Sequence, residues 1–599
     1  MTVLTPTINA NLPHRLVEFE TVPEGLDYAA RGETGLNFFS SRGELQRALS
    51  YGEIRDRSIA LARRFIQAGF PAGMRLAILA ETHPDFPIFF FACQYASLVP
   101  VPLPLSLNFD GRESYVRRLR GMMKQAGAEA AVSTADLIGH VRQAAEGLDL
   151  IMVGTAEDFY ALPGGACALR PFGKDDPCYI QFSSGSTTSP RGVLVSQRAL
   201  IANAGGIARH GLRMRPEDRG TSWLPLYHDM GLVGFFLTPT LAQTSIDYLE
   251  TTSFARRPLI WLQILSKHGG TISFSPTFGF ELCLRRAVNG AADTIDLSRW
   301  RVAGIGGEMI RPDVLERFAQ TFSPLGFSEK AFLPSYGLAE STLAVSFASL
   351  DEGVNVDRID RDTFTDTGVA VPAKTNGGAG TAETRSFVIC GRPIPEHVIE
   401  IRDQEDRALP DRCVGRILVK GPSLTKGYFD NPVATGAIIT DDGWLDTGDL
   451  GYLVDGHLVI SGRSKDLIIV GGRNIWPQDV EWAVEALENV RAGDVAAFSV
   501  ADPVEGEKLV VLLQCRLNDL DARSALKRQV AGIVRKTSGI SCEVALVPMR
   551  SFTFTSSGKL SRAAVKADFL SGAIGELDTD DALPPLNAVA YEDRQVAAK

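Results

Sequence analysis

No two of the eight cysteines (Cys93, Cys167, Cys178, Cys283, Cys390, Cys413, Cys515 and Cys542) are spaced C-x-x-C. A disulfide framework belongs to short secreted chains, so these thiols are read as buried side chains of a reducing compartment. The eight histidines show no H-E-x-x-H or related ligand spacing, and a zinc site is not expected. Positive charge is not in excess either. The 61 Lys+Arg face 71 Asp+Glu, a net charge of −10, which argues against a nucleic-acid binder or a polybasic membrane-surface protein. Small anionic ligands stay open, because a site needs only a few local donors. A long uninterrupted apolar run is also missing: Phe86–Leu105 is broken by Pro87, Pro100, Pro102 and Pro104, so helix then strand fits it better than a membrane span. Residues 1–16 carry no basic segment followed by an apolar one, so no signal peptide is read and a cytoplasmic protein is expected. There is no G-x-x-x-x-G-K-[ST] and no G-x-G-x-x-G, which excludes a Walker P-loop and a Rossmann fingerprint. The absence of G-x-S-x-G weakens a serine hydrolase reading.

What is present is length and apolar material. The 599 residues, 45% of them hydrophobic, suffice for roughly three to four compact units with real cores. Tyr51–Ala68 brings Ile54, Ile59, Leu61, Ala62 and Phe65 close to one helical face, Arg75–Ala80 reads as a strand, and Phe86–Ser97 as a buried helix. Val99–Val101 reads as a strand ending in prolines, and Arg117–Ala126, Ala130–Ser133, Leu137–Ala145 and Leu150–Val153 continue the pattern. Strands alternating with helices argue for βαβ units and a largely parallel sheet. A second alternating series runs from Gln197 to Ala348. Leu350–Thr384 is rich in Asp, Thr, Gly and Asn and reads as an irregular surface insertion. Ser386–Cys390, His397–Arg402 and Val414–Lys420 then alternate like antiparallel strands, and Gly462–Gly472 forms a glycine-rich boundary. A smaller α/β series ends near Leu570, and the acidic tail Ser571–Lys599 is expected to be loosely packed.

The strongest local signal is Tyr179-Ile180-Gln181-Phe182-Ser183-Ser184-Gly185-Ser186-Thr187-Thr188-Ser189-Pro190-Arg191-Gly192-Val193. A strand-like run enters a hydroxyl-rich loop and leaves by another strand-like run. Hydroxyls and successive backbone N–H groups in such a loop can wrap phosphate oxygens, with Gly185 permitting close approach and Arg191 adding a charged donor. An ordinary polar hairpin loop has the same composition. Four further motifs follow: Tyr336-Gly337-Leu338-Ala339-Glu340, Asp446-Thr447-Gly448-Asp449-Leu450, Gly462-Arg463-Ser464-Lys465-Asp466, and Ser557-Gly558-Lys559-Leu560. Taken singly, Tyr336 is more often a core residue, Glu340 could cap a helix, Asp449 could be a turn residue, and Lys559 is usually a solvated turn lysine.

With all five motifs in order, from about Tyr51 to Arg562, the chain resembles the adenylate-forming superfamily of acyl-CoA synthetases, adenylation domains and luciferases. The resemblance implies an α/β fold: a large N-terminal domain of two αβαβα-type layers plus a small β-barrel-like subdomain, and a smaller mobile α+β C-terminal domain. The expected boundaries are 1–464, with an insertion at about 350–385, then 465–570 with the hinge at Lys465, then the tail 571–599. It implies ATP-dependent activation of a carboxylate, in which two like-charged groups are held in line and the developing charge is neutralised. Ser183, Ser184, Gly185, Ser186, Thr187 and Arg191 would cradle the β- and γ-phosphates. Tyr336, beside Gly337, would stack on adenine, with Gly306, Gly307 and Glu308 as the pocket wall. Glu340 would hold Mg²⁺. Asp449 would accept from both ribose hydroxyls, Arg463 would add a ribose or phosphate contact, and Lys559 would bridge the carboxylate and the α-phosphate. The loop departs from the family pattern at Thr188, which replaces a glycine, and at Arg191, which replaces a lysine. The last motif lacks its usual Pro-Lys lead.

Within the superfamily the chain looks most like the fatty acyl-AMP ligases. Trp223-Leu224-Pro225-Leu226-Tyr227-His228-Asp229-Met230-Gly231-Leu232, Tyr336–Leu343 and Gly472–Glu481 carry this closer likeness, together with the long spacing from Glu340 to Gly391. In that branch the insertion is thought to restrict the movement that lets CoA be used. His228 would orient the carboxylate as a donor; a core histidine beside Tyr227 and Trp223 is the plain alternative. Phe235, Phe236, Phe274, Phe278 and Phe280 are acyl-tunnel candidates, or simply core. The resemblance therefore implies that a medium- or long-chain fatty acid becomes an acyl adenylate with release of pyrophosphate. The acyl group would then pass to the phosphopantetheine thiol of an acyl carrier protein. The alternatives are an acyl-CoA synthetase using free CoA, and a degenerate adenylate-binding or scaffold protein.

Overall fold

The computed structural model describes residues 3–105, 111–183, 190–287, 294–374, 384–470, 473–502, 506–555 and 559–577. The early alternation becomes a four-stranded parallel sheet in the order Val99–Leu103, Arg75–Leu79, Ala130–Ser133, Met152–Thr155. Parallel neighbours need crossover connections, and the helices Asp85–Ala96 and Gly111–Gln125 supply them. Every residue from Phe86 to Ala96 is buried, as a helix apolar nearly all round requires, and the polar Gln94 among them donates to the Cys178 carbonyl (2.8 Å). The strand Val99–Leu103 runs through Pro100 and Pro102 instead of ending at them. It is an edge strand, where a missing N–H is tolerated because one side carries no ladder.

The second series supplies six strands of a nine-stranded sheet in the order Arg392–Pro393, Ala344–Phe347, Phe332–Gly337, Val302–Ile305, Ile272–Ser275, Arg219–Ser222, Ser245–Leu249, Gly35–Phe39, Leu45–Ser50. From Phe332–Gly337 to Gly35–Phe39 the neighbours are parallel, and the outer pairs are antiparallel. The C-terminal ends of the parallel strands therefore share one edge, which is where open α/β sheets bind ligands. A separate antiparallel sheet pairs Val398–Arg402, Gly415–Lys420, Leu445–Val454 and His457–Arg463 in sequence order, so the subdomain expected to be barrel-like is built on an open sheet.

The insertion is more regular than its composition suggests. Val356–Asp360 pairs antiparallel with Thr384–Val388, and Arg361–Thr367 is a helix capped by Asp360. Ser386–Cys390, read as partner to the later strands, thus pairs largely with the insertion. Phe364 and Phe387 pack with Tyr452, and Asp357 takes both Tyr452 Oη (2.8 Å) and Arg412 Nη1 (3.1 Å). These few apolar and charged anchors outweigh a polar composition. Residues 375–383 lie outside the described residues.

The chain divides into two compact units at Ser464 and Lys465. In the second unit, Val495–Asp502, Gly506–Gln514 and Cys542–Val547 form one sheet. Its side chains alternate: Val495, Ala497, Val511 and Leu513 pack into one core with Val480, Leu526 and Val530, whereas Ala496, Phe498, Val510 and Leu512 pack into another with Val565. No described helix is long and apolar enough to cross a membrane. All eight cysteines are unpaired; Cys167, Cys413 and Cys542 are only half-buried, where burial was expected of all.

Candidate active site

Four of the parallel strands deliver site residues at their C-terminal ends. Arg219–Ser222 leads into Trp223 and the segment of His228, Ile272–Ser275 into Phe278, Val302–Ile305 into Gly306, Gly307 and Glu308, and Phe332–Gly337 ends in Tyr336 and Gly337. The register pairs Ile305 with Pro334, so the glycine pair emerges beside Ser335 and Tyr336. A Cβ on Gly306 would meet Ser335 Oγ at 2.8 Å, and one on Gly337 would meet the Leu343 carbonyl oxygen at 1.8 Å, so both positions demand glycine. Glu308 turns its carboxylate to the start of the helix Thr277–Arg286, accepting from Phe278 N–H at 3.0 Å. An anion there suits the helix dipole.

Tyr336 and Asp449 meet directly. The Tyr336 hydroxyl donates to Asp449 Oδ2 (2.7 Å), and Arg463 Nε donates to Oδ1 (3.1 Å). Burial, and then the Asp449 charge, hold the Tyr336 phenol well above its ordinary range, so it stays a donor. Asp449 is placed by a tight turn in which Gly448 (φ +71°) has its N–H on Asp446, and Asp449 N–H on Thr447 Oγ1 (3.1 Å). Asp446 is in turn gripped by Arg416 at 2.7 Å. A carboxylate has about four acceptor positions, and these two partners leave room for further donors.

Glu340 forms the second focus. Tyr428 Oη donates to its Oε1 (2.8 Å), and the Arg191 guanidinium lies 5.2 Å from the Tyr428 ring centre. The loop bearing Tyr428 is zipped to the hairpin strand Arg191–Ser196: Thr425 Oγ1 donates to the Leu194 carbonyl (2.7 Å) and Phe429 N–H to the Gly192 carbonyl (2.8 Å). Desolvation raises the Glu340 carboxyl above its usual range, opposed by the Tyr428 hydroxyl and by Arg463, and reinforced by the charge of Asp229. Such an acid gains from a cation. Among the described residues no group of three or more His, Cys, Asp and Glu could hold a metal by itself. The donor set thus fits a Mg²⁺ held by one carboxylate and completed by phosphate oxygens and water.

His228 Nδ1 lies 2.6 Å from Asp229 Oδ1, and the Asp229 carboxylate also takes the Met230 N–H (2.7 Å) at the start of a π-helix, Met230–Leu237. Helices of that kind recur at functional sites. Phe235 and Phe274 meet edge-on at 5.9 Å, and Phe278 is edge-on to Trp223 at 5.7 Å. Phe236 is committed to Phe86, Phe90 and Phe91, and Phe280 to Trp261 and Trp300, so these two belong to the aromatic core. Ser183 pairs with Arg191 across the hairpin; Ser184, Gly185, Ser186 and Thr187 lie outside the described residues. Lys559 belongs to the second unit, where Thr555 N–H donates to its carbonyl (2.7 Å) and its own N–H to Thr555 Oγ1 (3.2 Å). Lys465 is exposed in the short 3₁₀ turn Ser464–Asp466.

Tyr428 lies 88 positions from Glu340, and no local pattern in the sequence marks it as that residue's partner. Asp229 was visible next to His228, but nothing in the spacing marked it as the partner of the imidazole.

Fold and site together are of the adenylate-forming ligase class. The chain belongs to the AMP-binding enzyme family, whose model matches residues 29–429. A Caulobacter vibrioides (strain NA1000 / CB15N) protein whose name assigns it provisionally to the acyl-CoA synthetases is 45% identical over 96% of this chain and 99% of its own. The long-chain-fatty-acid–AMP ligase FadD26 of Mycobacterium marinum (strain ATCC BAA-535 / M) is 31% identical, covering 88% of this chain and 93% of its own length. A solved structure from a study of fatty acyl-adenylate ligases of E. coli and L. pneumophila superposes with a TM-score of 0.89 at 42% identity, over 94% of this chain and 100% of that one.

Proposed function

We propose that the chain converts a medium- or long-chain fatty acid and ATP·Mg²⁺ to acyl adenylate and pyrophosphate, and then passes the acyl group to the phosphopantetheine thiol of an acyl carrier protein. The observation that carries the reading is the triad of Tyr336, Asp449 and Arg463 beside Glu340. One buried carboxylate, already oriented by a phenol and a guanidinium, is suited to accept two ribose hydroxyls next to a ring that can stack on adenine. Mg²⁺ bound at Glu340 would supply Lewis-acid neutralisation of phosphate charge. The residues of the chain do the rest. Arg191 and the hairpin loop bind the β- and γ-phosphates, and His228, fixed by Asp229, orients the fatty carboxylate. A carboxylate oxygen forms the bond to the α-phosphorus, and the α–β bridging oxygen leaves with pyrophosphate. Lys559 steadies the charge shared by the carboxylate and the α-phosphate. Phe235, Phe274 and Phe278 line the entry of the acyl chain.

In the second step the thiol sulfur bonds to the acyl carbon, AMP leaves with the bridging oxygen, and the thiol proton is lost. Turning at Lys465 would exchange the face of the second unit between the steps. Local anchoring supports that position: Arg463 is tied to Asp449 in the first unit and Asp466 to Arg562 (2.9 Å) in the second, so rotation falls on Ser464 and Lys465. The name carried by the Caulobacter relative favours a second reading, transfer to free CoA. Purified protein given labelled fatty acid and ATP, with either CoA or a holo-carrier protein, separates the two. Thioester on the carrier with little acyl-CoA supports the first reading, and efficient acyl-CoA formation overturns it.

A further inference from the structure

Asn203, on the helix Gln197–Gly205, is wholly buried and faces none of the substrate-binding groups described above. Its Oδ1 accepts the Ala344 N–H (3.0 Å) and its Nδ2 donates to the Ala344 carbonyl (2.8 Å), so one side-chain amide pairs with that residue as a neighbouring strand would. The same Nδ2 reaches the Ser341 carbonyl (3.2 Å) and Ser423 Oγ (3.1 Å). Between these contacts the backbone makes a γ-turn of the uncommon hand: Thr342 sits at φ +67°, ψ −57°, with Leu343 N–H on the Ser341 carbonyl at 2.8 Å. A β-branched residue is poorly suited to that region, and such a conformation persists only where its surroundings over-determine it.

Those surroundings are directional. His397 Nδ1 lies 3.0 Å from the Pro395 carbonyl, which can only accept, so Nδ1 carries the proton and Nε2 accepts from Ser423 Oγ at 2.5 Å. With its proton turned to His397, Ser423 Oγ presents a lone pair to Asn203. Thr342 Oγ1 closes the far side by donating to the Ser423 carbonyl at 2.7 Å. Glu340 stands directly before this turn, with its carbonyl on Thr425 N–H (2.8 Å) and its carboxylate on Tyr428 Oη (2.8 Å). Leu338 N–H on the Leu343 carbonyl (2.8 Å) ties the turn back toward Tyr336.

We propose that Asn203, acting through Ser423, Thr342 and the strained turn, is a positioning residue that sets where the Glu340 carboxylate stands relative to Tyr336, and so sets the affinity for the divalent cation of the nucleotide. This rests on the reading of Glu340 as the metal-holding acid. Asn203→Asp keeps the shape but puts an acceptor against the Ala344 and Ser341 carbonyls. Thr342→Gly keeps the chain folded, because glycine tolerates the turn, while removing the strain and the hydroxyl that fix it. Both variants are compared with the wild type by Mn²⁺ binding, read by electron paramagnetic resonance with a non-hydrolysable ATP analogue present. They are also compared by fatty-acid-dependent ATP–pyrophosphate exchange against Mg²⁺ concentration, and by thermal unfolding. The expected result is tenfold or greater weakening of Mn²⁺ binding, a matching rise in the Mg²⁺ needed, and a fatty-acid KM changed less than threefold. Thr342→Gly alone decides the matter if Asn203→Asp does not fold. A lowered unfolding temperature with unchanged Mn²⁺ binding overturns the proposal and leaves the functional reading intact. A wild type that binds no Mn²⁺ with the analogue and exchanges no pyrophosphate overturns both.

Discussion

At the scale of single residues, the site is a set of carboxylates whose surroundings fix their charge and direction. Asp449 has its two oxygens engaged by a neutral donor and a cationic one, so its replacement removes an acceptor of two oriented hydrogen bonds as well as a charge. Asp449→Asn should raise the KM for ATP about 10- to 100-fold, the equivalent of roughly 1.5–3 kcal/mol for charge-assisted bonds. Titration of ATP in the exchange assay reads this, and a change under twofold would remove Asp449 from the ribose site. Glu340 is raised above the ordinary carboxylate range by desolvation. Cation binding needs its ionised form, so the Mg²⁺ required for half-maximal exchange should climb as pH falls, and should begin to do so at a higher pH than an unperturbed glutamate would allow. Glu340→Gln should abolish that pH dependence along with most of the exchange. Motif order made Tyr336, Glu340 and Asp449 legible in the sequence, because each sits in a short local pattern. Tyr428, Asn203 and His397 were not, because their meaning lies in contacts that only the fold creates.

At the scale of elements, the helix–strand alternation was legible where apolar residues recur along one helical face, as in Tyr51–Gln67, or fill a whole helix, as in Asp85–Ala96. It failed where a few anchors decide. Val99–Leu103 tolerates its prolines as an edge strand, and the insertion is ordered by Asp357, Phe364 and Phe387 against a polar background. Arg412→Ala would take the guanidinium at 3.1 Å from the Asp357 carboxylate while Tyr452 stays in place, at a cost of about 2 kcal/mol after discounting for the partial exposure of the arginine. Limited proteolysis should then cut within 350–385 several-fold faster, while unchanged cutting would contradict the anchoring role. His397 is held below its ordinary value chiefly by burial, with the Pro395 carbonyl and Glu396 opposing. The unfolded chain therefore takes up a proton before the folded one does. Its contribution to stability should be full above about pH 6.5 and decline as pH falls below that. Urea unfolding at pH 7.5 and pH 5.5 should differ less in His397→Gln than in the wild type.

At the scale of the whole molecule, the chain divides between Ser464 and Lys465 into two compact units, each with cores of its own. If the two half-reactions need different settings of the second unit, a substitution that stiffens the junction should separate them. Lys465→Pro should keep pyrophosphate exchange within about threefold and reduce thioester transfer by at least tenfold, since proline fixes φ at the turning residue. Equal loss of both steps would contradict the hinge. Family membership and the adenylate-forming class rest on the whole chain; the choice of acid and of thiol rests on chemistry at the site. The most direct measurement is ATP–pyrophosphate exchange with straight-chain acids from about eight to eighteen carbons, alongside Lys559→Ala. Exchange that depends on a medium- or long-chain acid, and that falls at least a hundredfold in the variant, is the predicted result. Exchange absent with every acid, or unchanged within a few-fold in Lys559→Ala, would contradict it.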